Sequence, residues 1–301
     1  MTGCRKMKVI IINGSPRNQG ITATTLHVLE KELLDSGVKV DFVSLAEIEM
    51  THCLGCCSCY RTGHCCIRDD AEKLSELIAE ADGIILGSPT YASNVSGLMK
   101  DFIDRGHFVI EQLLHGKACV IVATGENYGN KDAAKVLKKL VIYSGGKLSG
   151  SIVFKVPFNI MATEKQVVDH GGKNSRIEYR DFRNDALNHI NKKCCKAARK
   201  MIRDMQSGKA HPMQSLIHFI VLNIGIRSFV RKKGKLYQGV IDKWTKLGIY
   251  GSFHFSMRTT YEAAYGILDS LCCMGFKHVI MNASHADPQH QIAVEKGVWK
   301  S

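Results

Sequence analysis

The sequence predicts an α/β protein built on a doubly wound parallel sheet of five strands, and three observations support this prediction. Val9 to Ile12 is an uninterrupted aliphatic run, which is typical of a strand buried on both faces of a parallel sheet. Helical patterns separate it from the strand patterns that follow, so the connections have room for crossover helices. The four further strands are predicted at 38–45, 83–87, 118–123 and 151–156.

The helices are predicted from apolar residues that recur at helical spacing. The first follows Gly20 and stops at Ser36-Gly37, and the others cover 71–80, 95–106, 132–143 and 179–205. With the strand order 2-1-3-4-5, the ligand crevice lies at the carboxyl ends of the first and third strands.

Composition limits the classes of protein that remain. The 301 residues, 45% of them apolar, can bury a full core as one large domain or two smaller ones. Lys6-Met7-Lys8 precedes only four aliphatics and a polar loop, so no export signal is predicted. No apolar run reaches about 18 residues, so no membrane span is expected. Twelve cysteines without an export signal indicate the reducing cytoplasm, where clustered thiols bind metal or perform redox chemistry.

The positive charge belongs to the second half of the chain. Residues 1–150 carry 17 Lys and Arg against 17 Asp and Glu, so the whole excess of 13 falls on 151–301. A solvated basic face or an acidic protein partner is favoured over nucleic acid, because no nucleic-acid motif accompanies the lysines.

The loop after the first strand, Gly14-Ser-Pro-Arg-Asn-Gln-Gly-Ile-Thr22, combines glycines, hydroxyls and an arginine ahead of a helix. Backbone N–H groups at a helix N-terminus favour an anion, and phosphate is the obvious candidate. A polar turn that binds nothing is the alternative. The loop has neither the lysine nor the glycine spacing of the two commonest nucleotide loops.

A second loop, Gly87 to Lys100, follows the third strand and suits a flat ring. Pro89 stiffens the turn, Tyr91 offers an aromatic face and Asn94 can meet polar ring edges. Thr124 to Gly129, after the fourth strand, can flank the other side of the ring. A phosphate loop beside a ring loop indicates a mononucleotide.

Gly14-Ser-Pro-Arg-x-x-Gly-x-Thr22, with Ser88-Pro-Thr-Tyr91 and Ser96-Gly-Leu-Met-Lys-x-Phe-Ile-Asp-Arg105, resembles the NAD(P)H-dependent FMN reductase and iron–sulfur flavoprotein family over about residues 7–156. The resemblance implies a flavodoxin-like fold, FMN as cofactor and NAD(P)H as an electron donor. It also implies a homo-oligomer, dimer or tetramer. One departure from the family pattern is Ile21, where relatives usually carry Asn or Ser.

The resemblance assigns the FMN site residue by residue. The phosphate would contact Ser15, Arg17, Asn18, Gly20 and Thr22. The ring would lie among Ser88, Pro89, Thr90, Tyr91 and Asn94, closed over by Thr124, Gly125, Glu126 and Asn127. No catalytic acid or base is assigned, because the flavin carries the chemistry.

A cysteine-rich loop at 53–66 follows the second strand. Cys53, Cys56 and Cys59 form C-x2-C-x2-C and Cys65 follows, a spacing that lets four thiolates wrap a [4Fe–4S] cluster. The last interval differs from the ferredoxin run and lacks its proline, but it matches the iron–sulfur flavoprotein motif. Structural zinc, free thiols or a redox disulfide remain open. Two neighbouring cysteines could substitute as ligands, form a disulfide or be inert, namely Cys57 and Cys66. The adjacent pairs Cys194-Cys195 and Cys272-Cys273 are expected to be packing or surface residues.

Residues 208–301 are predicted to form a basic, mainly helical extension to a flavodoxin-like domain at 1–207. Met213 to Val230 is apolar with interspersed polar residues, and we expect it to be too short and too polar to span a bilayer. Packing on the core or on a second subunit is favoured over an anionic membrane surface. A further helix at 261–274 and a strand at 277–281 are predicted, and the extension is hypothesised to be a cap at the substrate entrance.

Three functions are compatible with these features. The first is an iron–sulfur flavoprotein that passes electrons between a reduced donor, such as a ferredoxin-like protein, and an acceptor. The second is a cluster-free NAD(P)H-dependent reductase of flavins, quinones or nitro compounds. The third is a non-catalytic zinc-binding or redox-sensing protein, although the FMN loops argue against it.

Overall fold

The computed structural model describes residues 6–18, 20–155, 175–209 and 211–249, and in 175–187 the backbone alone. Four sequence predictions therefore lie outside the described residues: the last residue of the fifth strand, Val156, the helix at 261–274, the strand at 277–281 and the Cys272-Cys273 pair.

The sheet confirms the predicted fold class and strand order. Parallel strands run in the order β2-β1-β3-β5-β6, and the short β4 pairs antiparallel with the end of β3. The strand at 83–87 was predicted too short, and the last one begins four residues before its predicted start. The strands are β1 (Lys8–Asn13), β2 (Lys39–Ser44), β3 (Gly83–Tyr91), β4 (Asn94–Val95), β5 (Ala118–Gly125) and β6 (Lys147–Lys155).

Helices connect the strands as predicted, with two short additions in the loops. The segment 95–106 begins as β4 and becomes helical at Gly97, because Ser96 caps that helix by accepting from the backbone N–H of Met99 at 3.1 Å. In the first 207 residues the described helices are α1 (Ile21–Asp35), α2 (Ser58–Thr62), α3 (Asp70–Glu80), α4 (Gly97–Gly106), α5 (Phe108–Glu111), α6 (Asn130–Tyr143) and α7 (Ser175–Ser207).

The core lies on both faces of the sheet, and β1 supplies both. Ile10 and Ile12 pack in the apolar cluster that includes residues of α3, α4 and α6, whereas Val9 and Ile11 pack in the cluster that includes residues of α1 and α7. All four side chains are fully buried, each contributing roughly 1.5–3 kcal/mol of apolar burial. The uninterrupted aliphatic run thus follows from a central strand with two covered faces.

The extension continues as helices after His211. α8 (Pro212–Ile220) is followed by a π-helical segment (Val221–Ile226), α9 (Arg227–Lys233), a 3₁₀ turn (Gly234–Tyr237) and α10 (Gln238–Lys246). A third apolar cluster, which includes Trp244 and Val240, packs against Tyr60 and Ile110 of the preceding domain. The division at residue 207 itself stays a prediction.

The expectation that the apolar segment is too short to cross a bilayer needs correction. Within the described residues one helical stretch, Pro212–Lys246, is long and apolar enough to cross a membrane, by length and composition only. Its 35 residues exceed the predicted 213–230 because the helix continues through the basic residues that follow Val230.

Candidate flavin and cysteine sites

The loop after β1 is held in one shape by its own polar groups. Asn13 Oδ1 accepts from the backbone N–H of Ser15 at 3.0 Å, and the buried Ser15 hydroxyl accepts from the N–H of Arg17 at 3.1 Å. Gly14 lies so close to α4 that a Cβ there would be 2.9 Å from that of Met99. The loop is therefore preorganised, with the Arg17 side chain at the surface.

The N-terminus of α1 fits an anion. Gly20 is the N-cap residue and provides no side-chain hydrogen bond to the first turn of this 15-residue helix. Backbone N–H groups of that turn, beside Ser15 and Arg17, match the predicted phosphate site.

Two of the predicted phosphate contacts have other partners. The buried hydroxyl of Thr22 lies 2.7 Å from that of Thr124, so this pair joins the first loop to the third. Asn18 donates from Nδ2 to Glu47 Oε1 at 2.8 Å. Neither bond could be read from sequence spacing, because both partners are distant in the chain.

The second loop is bonded to the first. Ser96 Oγ donates to the carbonyl of Gly14 at 2.6 Å, and its N–H donates to Ser88 Oγ at 2.9 Å. The buried Ser88 hydroxyl in turn donates to the carbonyl of Pro89 at 2.8 Å, so it shapes the loop. Tyr91 is about half exposed, and Asn94 Oδ1 accepts from the N–H of Val95.

Thr90 provides a test of whether a flavin fits. Its Oγ1 is buried and has no hydrogen-bond partner within the described part of the chain, which identifies a polar group that a ligand can satisfy. Gly125 adjoins it, since a Cβ there would lie 3.5 Å from that of Thr90.

The third loop contacts the second. Gly129 adopts a left-handed φ of 81°, and a Cβ there would lie 2.6 Å from Cα of Ser93, whose own φ is 60°. Glu126 and Asn127 are exposed between these contacts. The three predicted FMN loops therefore meet at the carboxyl edge of the sheet, where β1 and β3 end.

The cysteine-rich loop forms a cavity of about 320 Å³. All four predicted ligands line it: Cys53, Cys56, Cys59 and Cys65. Gly55 and Cys57, both with φ near +60°, turn the chain between the first three thiols.

The four thiols have different surroundings. Burial, reinforced by the Glu111 carboxylate, raises the pKa of Cys59 to about 12. The backbone N–H of Ser58 and the thiol of Cys66 lower the pKa of Cys56, which is exposed. Among the described residues no three His, Cys, Asp or Glu side chains are arranged as a metal site. The set of four as ligands stays a prediction.

Arg105 closes one wall of the cavity. Its guanidinium donates to both carboxylate oxygens of Asp69, at 2.6 and 2.8 Å, and to the carbonyl of Thr51 at 2.6 Å, and lies 3.5 Å from Cys65 Sγ. Burial raises the pKa of Asp69, but the bonds from Arg105, Thr51 and Ala71 outweigh it and hold that pKa at about 2. The charged pair therefore persists at neutral pH.

His107 forms another wall, and the sequence analysis missed it. Its Nε2 lies 3.1 Å from Cys59 Sγ, and burial with the charges of Lys243 and Arg105 lowers its pKa to about 4. The residue has φ of 46° at the end of α4, a conformation that no spacing signal reveals.

Cys194 packs in the core as expected, whereas Cys66 and two histidines lie at the surface around the cysteine loop. Cys66 Sγ lies 3.2 Å from Cys56 Sγ, and Cys194 is buried in the core. His52 and His64 are exposed and pair with Asp101 and Glu72.

Residues 7–159 match the NADPH-dependent FMN reductase family. An iron–sulfur flavoprotein of Clostridioides difficile is 34% identical over 247 residues, covering 81% of this chain and all of that protein. A Methanocaldococcus jannaschii iron–sulfur flavoprotein is 42% identical over 99 residues, 33% of this chain and 51% of the relative. A solved azoreductase from Bacillus anthracis aligns with a TM-score of 0.47 and 14% identity over 63% of this chain and 99% of its own.

The family match covers the loops predicted to bind the ring and the cysteine loop, and the Clostridioides difficile relative extends the likeness along most of the chain. This chain belongs to the NADPH-dependent FMN reductase family and is a flavin-dependent oxidoreductase that uses FMN.

Proposed function

We propose that this oxidoreductase passes electrons between a reduced donor and an acceptor through FMN and a [4Fe–4S] cluster bound by Cys53, Cys56, Cys59 and Cys65. The observation that carries the proposal is that all four thiols line one cavity, which Cys57 also lines. Cys66, by contrast, is not among its lining residues, so Cys65 is the better fourth ligand.

The three rim loops would hold FMN. The N–H groups at the start of α1 would receive the phosphate together with Ser15 and Arg17. Thr90 Oγ1, buried and unpartnered in the described chain, would bond to the ring, with Tyr91 beside it. Glu126 and Asn127, both exposed, would close over the ring.

Helix α4 joins the two sites. Ser96, at its start, bonds to the phosphate loop, and Arg105, near its end, lies beside Cys65. Nine residues of α-helix span about 14 Å. This short, rigid connection suits electron transfer between the two sites.

The bound groups would supply complementary chemistry, since FMN exchanges electron pairs with a hydride donor and an iron–sulfur cluster exchanges single electrons. The protein's part is positional. Arg105 places an N–H donor near Cys65, and His107 would place a second near Cys59 in the tautomer that carries its proton on Nε2. Such bonds favour the more negatively charged state of a thiolate-bound centre.

The donor and acceptor follow from the same proposal. NAD(P)H is the two-electron donor that the family uses, and an acidic ferredoxin-like protein suits the basic second half of the chain. We expect a homo-oligomer in the cytoplasm, whose reducing conditions keep the thiols available.

A cluster-free NAD(P)H-dependent reductase is the alternative. It is favoured by the 3.2 Å approach of Cys56 and Cys66, which suits a thiol pair. A non-catalytic zinc or redox sensor does not fit a family of reductases.

The test is an absorption spectrum with iron and acid-labile sulfide assays on protein purified without oxygen. We expect flavin bands, a broad shoulder in the blue and about four irons per chain. Cys59→Ser should lose iron and retain FMN, whereas Cys57→Ser, outside the ligand set, should retain both. Flavin without iron in the unaltered protein would overturn the cluster and support the reductase alternative.

A further inference from the structure

The described part of the extension combines an apolar helix with a one-sided charge. Residues 205–241 contain six Lys and Arg and no Asp or Glu, and residues 212–226 contain none of these four types. The basic residues concentrate after the apolar stretch, at Arg231-Lys-Lys-Gly-Lys235. A cluster of Lys and Arg beside an apolar helix attracts the phosphates of anionic lipids.

One side of this helical stretch is fixed to the domain. Gln214 bonds to the backbone of Leu148 in β6 through both its side-chain atoms, at 2.8 and 3.3 Å. His218 Nε2 lies 2.6 Å from Gln112 Oε1, while Leu222 and Val230 are buried. A helix tied to the sheet domain by these bonds cannot thread a bilayer without losing them.

The same stretch also exposes large apolar side chains to solvent. Met213 is 70% exposed and Leu236 is 57% exposed, and between them lie further exposed apolar residues. These six residues, the exposed apolar set, are Met213, Leu216, Phe219, Ile224, Phe229 and Leu236. Exposed apolar residues in such number along one continuous helical stretch indicate an interaction surface.

We propose that this surface binds the face of an anionic membrane, with the helix lying in the plane of the interface. The exposed apolar set would enter the boundary between headgroups and acyl chains. Lys232 and Lys235, both exposed, would attract the lipid phosphates. Charge complementarity selects this occupant over a second copy of the chain, because a copy would bring the same excess of positive charge to the same surface.

The experiment is vesicle sedimentation of the full chain with its FMN bound. Two vesicle types are compared, phosphatidylcholine alone and equal parts phosphatidylcholine and phosphatidylglycerol, at low and high salt. We expect the protein to sediment with the anionic vesicles, weakly with the neutral ones, and less at high salt.

Paired variants separate the apolar and the charge contributions. L216Q/I224Q should lower the partition coefficient on anionic vesicles more than tenfold, and K232Q/K235Q should lower it roughly tenfold or more. Leu34 and Lys31, exposed on α1, provide the matched controls L34Q and K31Q, which should bind as the unaltered protein does. Retained FMN fluorescence and circular dichroism establish that each variant is folded.

Three results would overturn the proposal. One is the absence of sedimentation with anionic vesicles, and another is unchanged binding by L216Q/I224Q. If the protein does not sediment with anionic vesicles and L216Q/I224Q dissociates an oligomer, the surface would be assigned to a second copy of the chain. The third is resistance to alkaline carbonate extraction, which would indicate a helix that spans the bilayer.

Discussion

Arg105 and Asp69 show how single residues hold the cysteine cavity. Both side chains are almost fully buried, and Asp69 also caps α3 by accepting from the N–H of Ala71 at 3.1 Å. Removing one partner of such a buried ion pair is strongly destabilising, because the remaining charge has no solvent to stabilise it.

Asp69→Ala should destabilise the protein by about 3 kcal/mol, since it leaves the Arg105 guanidinium buried without its carboxylate. The expected fall in Tm is roughly 6–12 °C, measured by thermal unfolding of the purified protein. Because the folded pKa of Asp69 is about 2, below the ordinary value, its contribution is complete above about pH 4 and lost only as pH falls toward 2. Asp104→Ala, which removes an exposed partner of Lys100, serves as control, and an equal fall there would contradict the argument.

Cys56 and Cys66 lead to a second prediction at the same scale. Their sulfurs are 3.2 Å apart and both residues are exposed, whereas a disulfide needs about 2.05 Å, a short movement for a loop. Hydrogen peroxide added to iron-free protein should oxidise this pair, forming one S–S bond and two waters. Peptide mass spectrometry should find Cys56 joined to Cys66, and Cys66→Ser should abolish the product. Cys57→Ser should leave it unchanged, and loss of the product in that control would refute the pairing.

Helix α8 depends on a histidine that is kept neutral. Burial and the neighbouring His115 lower the pKa of His218 to about 4, and burial with the charge of Lys147 lowers that of His115. The neutral His218 donates from Nε2 to Gln112 Oε1, a residue that also donates to the carbonyl of Tyr143 at 3.0 Å.

Acidification should therefore loosen α8 from the domain. A folded pKa below the ordinary value means that the His218 contribution is complete above about pH 6.5 and is lost as pH falls toward 4. Between pH 7.5 and pH 5 we expect a loss of roughly 1–2 kcal/mol in the free energy of unfolding, measured in urea. His218→Gln should flatten this dependence, and His27→Gln, at an exposed site on α1, should not. An unchanged slope in His218→Gln would count against the assignment.

In the elements that the sequence predicted, the apolar positions of the local pattern are the positions that the structure buries. The run Val9 to Ile12 is a strand because both faces of β1 are covered. The extension of β3 to Tyr91 and its pairing with β4 depend instead on Ala92 and Ser93 in left-handed conformation, which residue type does not favour. The π-helical segment Val221–Ile226 leaves no signal in apolar spacing, so it could not be predicted from the apolar segment 213–230.

The candidate sites divide in the same way. The FMN loops and the four thiols could be predicted because glycine and cysteine spacing is a local signal, and their roles as ligands stay predictions. His107 was missed because its proximity to Cys59 depends on how α4 ends, far along the chain from the cysteine loop. The exposed apolar set was likewise missed, since periodicity cannot tell a covered face from an open one.

At the scale of the whole molecule, the extension packs on the cysteine loop. Tyr237 stacks on Tyr60 with 5.0 Å between ring centroids, and Trp244 Nε1 donates to the carbonyl of Ile110 at 2.9 Å. Lys243 lies 2.6 Å from Glu111, whose carboxylate is buried. These contacts cover α2 and the region of Cys59, so the described extension supports the cysteine cavity; its role as a cap at the substrate entrance stays a hypothesis.

Gly239 is the point of closest approach between the two parts and the place to test this support. A Cβ there would lie 2.1 Å from the backbone nitrogen of Gly63 and 2.9 Å from the carbonyl oxygen of Cys59, so Gly239→Ala must displace α10 from α2. Such overpacking costs typically 1–3 kcal/mol, and here it falls on the contact that orders Cys59. On the proposal of a cluster at the four thiols, we expect the variant, purified without oxygen, to lose iron while its FMN content stays that of the unaltered protein. Gly225→Ala is the matched control, because nothing lies within 4 Å of its Cβ position in the same extension, and it should retain both cofactors. Equal iron in the two variants would show that iron binding by the cysteine loop does not depend on the extension. Loss of FMN in Gly239→Ala would mean that the disturbance reaches the sheet edge through α4.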